Sequence, residues 1–200
     1  MRLYLDMETY REKDAFIDEK IIAIGIIEDW TSYNYSNVNN VQIKQQCFAE
    51  WVYGNENKII CNFYKKLKEL KNNQQKKNRS LEVIGFNILR FDIPLLIQKG
   101  FKLGLGEIDE LNKLWHETFV RDYFQICLPL NNMMFKGLKL KQLVERLKGK
   151  GINIPEPYGS GGAIAELYKN KKYDEIIKHL YSDLHIIRTI DLNYKTLMGI

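Results

Sequence analysis

Cysteine is scarce in this sequence. The 200 residues include three, Cys47, Cys61 and Cys127, an odd number with no Cys-x-x-Cys spacing. That argues against a disulfide framework and a zinc knot, and a reducing, intracellular setting is expected. No apolar run approaches the ~20 residues that span a bilayer, so no membrane partner is expected. The N-terminus enters a strand-like pattern at once, without a leader-like segment. Internal repeats and linker-like stretches are missing as well, and one domain over residues 1–200 is expected. The glycine-bearing stretch "EPYGSGG" lacks the Lys-Ser/Thr ending of a P-loop and the GxGxxG order, which argues against a nucleotide-cofactor site.

What is present is ordinary for a soluble globular chain: 45% hydrophobic and 28% charged residues, enough for a proper core. The formal net charge of +5 leans mildly toward polyanionic partners. The basic stretch 65–79 reads best as a solvated helix face and loop, with guidance of a phosphate backbone as the alternative.

"RLYLDME" alternates as a strand does, and "KIIAIGIIED" reads as a second, mostly buried strand. A charged turn, "YREKDAFID", joins them. After the Asn-rich turn "SNVNN", "VQIKQQCFAE" is a third strand, and three antiparallel strands in a row are expected. Ile59, Ile60, Phe63, Leu67 and Leu70 have helical spacing. "NNQQKKNRS" reads as an exposed loop and "LEVIGFN" as a short strand. A helix is expected from about Phe91, with Pro94 in its first turn and Gly100 ending it. "HETFVRDYFQIC" reads as a strand and its exit, and "LKLKQLVERLKG" as a helix closed by Gly149. "AIAELYKN" and the long stretch from Tyr173 read as helices. The pattern implies an α/β fold with helices packed on a mixed central sheet.

Three places carry acids that need explaining. On a strand, Asp6 and Glu8 share a face roughly 7 Å apart, while Leu3, Leu5 and Met7 point the other way. Like charges this close repel, and a divalent cation held by oxygen ligands would relieve them. Two cations about 3.5–4 Å apart could share one bridging carboxylate. A solvated edge strand is the alternative for this pair taken alone. Asp92 stands at a helix N-terminus, where an acid also serves the helix dipole and backbone donors. Asn87 could equally be a turn residue. Yet Gly85, Phe86, Asn87, Phe91, Asp92 and Pro94 crowd into ten residues. On the last long helix His179 and Asp183 are one turn apart and share a face, beside a core stripe of Ile176, Leu180, Leu184 and Ile187. Tyr181 and His185 point about 160–200° away from Asp183.

Together, "DME", "GFNILRFDIP" and the helical acid Asp183 resemble the three motifs of the DEDD superfamily of 3′–5′ exonucleases. The similarity is greatest to the proofreading exonuclease domain of family B DNA polymerases and its stand-alone relatives. "LPLNNMMFKGLKLKQLVERL" and "SGGAIAELYKNKKYDEIIKHLYSD" look like the region between the second and third motifs. The resemblance runs from Met1 to about Asn193, and without room for a polymerase it implies a free-standing nuclease. It implies an RNase H-like fold whose mixed sheet has antiparallel first three strands. It also implies two Mg²⁺ or Mn²⁺ ions and single-stranded 3′ ends as substrate, DNA favoured over RNA.

Carried over residue by residue, the resemblance has Asp6 bridge the two ions. Glu8 and Asp183 complete the water-activating site, and Asp92 supports the second ion. Met7, Thr9, Asn87, Phe86 and Phe91 fall on the substrate side, with one of the two phenylalanines expected in the core. Asp122 is a further acid near the sheet, read chiefly as structural. The chain departs from the family at His179, which stands where one subgroup has tyrosine. Histidine, with an ordinary pKa of about 6.5, suits a general base. Two rival readings are a structure-specific endonuclease and a nucleic-acid binder with a degenerate site.

Overall fold

The computed structural model describes residues 1–11, 19–31 and 42–200. Most of the turn expected at 10–18, and all of that at 36–40, lies outside the described residues. Five strands form one mixed, open sheet: β1 (Arg2–Tyr10), β2 (Lys20–Asp29), β3 (Ile43–Ala49), β4 (Glu82–Gly85) and β5 (Phe119–Asp122). Their spatial order is β3-β2-β1-β4-β5. β2 runs antiparallel to both β1 and β3, while β4 is parallel to β1 and β5 to β4. The three-strand antiparallel start expected from the sequence is therefore present.

Helices α1 (Glu50–Tyr53), α2 (Glu56–Gln75), α3 (Asp92–Lys102), α4 (Ile108–His116), α5 (Tyr123–Ile126), α6 (Leu140–Gly149), α7 (Ile164–Lys169), α8 (Tyr173–Leu192) and α9 (Tyr194–Met198) accompany the sheet. The pleat divides them. Leu3, Leu5 and Met7 face one apolar layer with Ile59, Phe63, Leu67, Leu96 and Trp115 from α2–α4. Tyr4 faces the other layer, with Phe124, Leu143, Leu147, Leu180, Leu184 and Ile187. Because β2 is covered on both faces, it is apolar almost throughout. None of the described helices is long and apolar enough to cross a membrane.

Two glycines let elements approach closely. Gly25 pairs with Asp6 across β1 and β2. A Cβ there would stand 2.8 Å from Leu180 Cγ and from Leu184 Cδ1, so α8 lies directly on the strand. A Cβ at Gly85 would meet the Leu5 carbonyl at 2.8 Å, which explains the glycine that opens "GFN".

Three expectations need correction. Gly100 does not end α3, which continues to Lys102. Its missing side chain instead admits the Tyr64 ring, 3.0–3.2 Å from where a Cβ would lie. The loop expected at 72–80 is helical through Gln75, where buried Gln74 anchors the last turn. The strand expected from His116 spans only Phe119–Asp122, between α4, which buries Leu111, Leu114 and Trp115 and ends at His116, and α5, which begins at Tyr123.

Candidate active site

The pleat of β1 puts Tyr4, Asp6 and Glu8 on the side facing α8. At one end of the row, Tyr4 donates its hydroxyl hydrogen bond to Asp191 of α8, at 2.9 Å. At the other end, Glu8 and partly exposed Asp6 face His179 and Asp183 of the same helix. A register break follows between Glu8 and Thr9. Thr9 donates to Glu19 at 2.7 Å, and it does not line the cleft described below.

The third element is the turn after β4. Asn87 adopts a left-handed conformation at φ 65°, which asparagine tolerates better than most residues. Its carbonyl accepts from the amides of Arg90 and Phe91, each at 3.2 Å, and closes the turn that delivers Asp92 to the start of α3. Asp122 locks this turn from beneath: its carboxylate accepts from the amides of Asn87 (2.7 Å), Leu89 (3.0 Å) and Phe124 (2.9 Å). Those bonds make Asp122 a structural acid. Asn87 thus serves the turn itself, while its buried Oδ1 has no partner among the described residues.

His179 is held from outside its own helix. Its Nδ1 bonds the Tyr158 carbonyl. A carbonyl can only accept, so Nδ1 donates, and in the neutral form of the ring Nε2 is the nitrogen left without a proton. That Nε2 lies 3.7 Å from Glu8 Oε1 and 3.8 Å from Asp183 Oδ2. The Tyr158 segment is clipped to α8 by Ser182, whose hydroxyl accepts from the Tyr158 amide (3.0 Å) and donates to the Glu156 carbonyl (3.1 Å). The stretch "EPYGSGG", set aside as a phosphate cradle, therefore orients an imidazole. Tyr181 packs toward the core and His185 meets Gln45, so neither joins the acids.

The electrostatics set these acids apart from Glu28, Asp29 and Asp191, which have basic partners, and from buried Asp122, whose carboxylate is satisfied by three main-chain amides. Glu28 is paired with Lys66, Asp29 with Arg188, and Asp191 with Arg2 and Arg121. Among the described residues no lysine or arginine forms a salt bridge with Asp6, Glu8, Asp92 or Asp183. Burial raises the Asp6 carboxyl well above its ordinary value, and the charges of Glu8, Asp92 and Asp183 raise it further. Glu8 is raised well by burial and then by Asp183 and Asp92. Burial pushes Asp92 up to about 7, against the opposing pull of its own and the Met7 amide. Asp183 is raised by burial and partly relieved by His179.

A cleft of about 370 Å³ opens over these groups. Asp6, Asp92 and Asp183 line it together with Met7, Phe86, Asn87 and Phe91. Glu8 and His179 do not line it. Met7 is buried in the core, so its main chain is what it can offer there. Phe86 packs edge-on against Phe124, whereas Phe91 is 39% exposed. Phe124, Leu138, Lys139, Leu140 and Ile187 complete the lining; in the sequence they read as ordinary core and helix residues.

Among the described residues, no three His, Cys, Asp or Glu side chains stand close enough together to hold a metal ion as they are. The donor chemistry nevertheless fits a hard divalent cation: four carboxylates from three elements, mutually repelling and without a basic partner among the described residues. Ion binding would require these side chains to draw together. A scan against protein-family models and a search of curated proteins each returned no match.

Proposed function

We propose that this protein is a metal-dependent 3′–5′ exonuclease of the DEDD type on an RNase H-like core. It hydrolyses phosphodiester bonds from the 3′ end of single-stranded nucleic acid, DNA favoured, and releases nucleoside 5′-monophosphates. The observation that carries this reading is the convergence of the mutually repelling acids Asp6, Glu8, Asp92 and Asp183, with His179 Nε2 beside Glu8 and Asp183, without a basic partner among the described residues, unlike Glu28, Asp29 and Asp191. The mixed sheet, with its antiparallel first three strands, supports the fold that goes with it. An intracellular setting is part of the reading, in keeping with three free cysteines.

In this mechanism Asp6, Glu8, Asp92 and Asp183 would hold two Mg²⁺ or Mn²⁺ ions. When bound, the ions supply Lewis-acid polarisation of the phosphate and neutralise charge that develops on the oxygens. The protein's own part is proton handling and positioning. His179 takes the proton of the attacking water at Nε2, because Nδ1 is occupied by the Tyr158 carbonyl. The resulting imidazolium is stabilised by the flanking carboxylates of Glu8 and Asp183. Lys139, in the cleft lining, offers a cation to the substrate phosphates, and exposed Phe91 offers a ring to the terminal base.

The test is hydrolysis of 3′- and 5′-labelled single-stranded DNA and RNA with Mg²⁺, Mn²⁺ or EDTA. A ladder receding from the 3′ end with either metal, and none in EDTA, is expected. Cleavage of a covalently closed circle would favour the endonuclease reading. The binder reading draws on the lack of a ready three-ligand cluster among the described residues. Tight nucleic-acid binding with no hydrolysis and no metal uptake by calorimetry would favour it over the nuclease.

A further inference from the structure

Beside the cleft lies a surface that the proposed chemistry does not use. After α5 the chain forms a 3-10 turn at Leu128–Asn131 and then passes through left-handed Asn132 and Met133. The Met133 amide donates to the Leu128 carbonyl at 2.9 Å, and the Met134 amide to the Asn131 carbonyl at 2.9 Å. The Asn131 amide group also holds the Lys136 carbonyl at 3.2 Å. This tied loop nevertheless leaves its apolar side chains in water: Met133, Met134 and Phe135 are 63%, 55% and 51% exposed.

Phe135 stacks nearly parallel on Phe124, with ring centroids 6.0 Å apart and an interplanar angle of 19°. Phe124 is itself part of the cleft wall. The guanidinium of Arg90 lies 4.6 Å from the Phe135 ring and 5.6 Å from the Phe124 ring. Arg90 forms no salt bridge among the described residues, and it comes from the same turn that delivers Asp92. An exposed apolar group of this kind, continuous with a cleft, marks a binding surface. The charge selects the partner. Between Asp122 and Glu145 the sequence has no acid, while Lys136, Lys139 and Lys141 follow Phe135 closely. Aromatic and arginine planes interleaved with lysines suit unpaired bases on a phosphate backbone.

We propose that Phe135, Arg90, Met133 and Met134 form a docking surface for the unpaired bases of single-stranded nucleic acid just outside the cleft. The proposal rests on the nuclease reading for its choice of substrate, and it adds a requirement for unstacked bases beyond the reacting end. A duplex buries its base faces and cannot use this surface.

The test is equilibrium binding in EDTA, where hydrolysis does not interfere. The probes are a labelled single strand of about eight nucleotides, an abasic strand of equal length and a duplex of the same sequence. The intact chain should favour the base-bearing strand over the other two by about tenfold or more. Phe135→Leu, which keeps the side chain apolar, should lose most of that preference, and Phe135→Trp should retain it. Thermal unfolding establishes that both variants fold. An undiminished preference in Phe135→Leu overturns the proposal, as does equal affinity of the intact chain for strand and duplex. The two readings fail separately. A protein that binds in the expected pattern but never cleaves keeps the surface and loses the nuclease. One that cleaves while Phe135→Leu binds normally keeps the nuclease and loses the surface.

Discussion

The Nδ1–H of His179 is bonded to the main-chain carbonyl of Tyr158, twenty-one residues earlier in the chain. This one contact selects the tautomer and turns Nε2 toward Glu8 and Asp183. His179→Phe should therefore cut the hydrolysis rate about 10²–10⁴-fold, the usual range for a general base. His179→Tyr, which supplies the residue that one DEDD subgroup would have here on the proposed reading, should exceed His179→Phe. Steady-state rates with Mn²⁺ check both; an unchanged rate in His179→Phe removes the base role.

Ser182 acts through the same contact without touching the acids. Ser182→Ala removes both hydrogen bonds that clip the Tyr158 segment to α8. The expected result is about a tenfold fall in kcat with little change in KM, the mark of a positioning defect. Ser182→Thr, which keeps the hydroxyl, should recover much of the loss.

Asp6→Ala and Asp183→Ala should each abolish hydrolysis. Without metal the neutral isostere should have a second effect. Asp6→Asn removes a charge that Glu8, Asp92 and Asp183 all oppose. Its melting temperature in EDTA should rise, by about 2–4 °C for each kcal/mol of repulsion relieved in a chain of this size. Added Mg²⁺ should raise the melting temperature of the unaltered protein more than that of the variant.

The raised carboxyls also give stability a pH slope of known sign. Asp92, pushed up to about 7, holds a proton in the folded chain that the unfolded chain releases near pH 4. Its contribution to stability is thus present at low pH and is lost as pH rises from about 4 through 7. In EDTA the melting temperature of Asp92→Asn relative to the unaltered protein should climb across that window. A difference that stays flat, or falls, contradicts the burial of this acid.

Asp191 offers a contrast on the same helix. It accepts from Tyr4 and Tyr123 and pairs with Arg2 and Arg121. Asp191→Ala removes a buried carboxylate that accepts from two tyrosines and faces two arginines, and a loss of about 3 kcal/mol in unfolding free energy is expected in denaturant titration.

Much of the scaffold was legible because its signals are local. The alternation in β1, the unbroken apolar run of β2 and the stripe of Ile176, Leu180, Leu184 and Ile187 each follow from one element's period and the faces it must bury. The spacing also placed Asp6, Glu8, Asp92, His179 and Asp183 on elements that do meet. Thr9 does not line the cleft: as the residue after Glu8, its side chain leaves the opposite face of the strand and bonds Glu19. Tyr158 was invisible because it contributes a carbonyl, which every residue has. Gly100 looked like a helix terminus because a glycine that admits a neighbouring ring and one that ends a helix are the same letter.

Gly25 has a consequence that reaches the acids without touching them. It lies opposite Asp6, and the space where its side chain would be is filled by Leu180 and Leu184, the residues that bracket Asp183. The span between the two halves of the carboxylate cluster is thus gauged by the thickness of one strand against one helix. A single methyl group at position 25 would act as a shim. It would lift Asp183 away from Asp6 and, on the proposed reading, weaken affinity for the metal ions, while every donor atom stayed chemically intact.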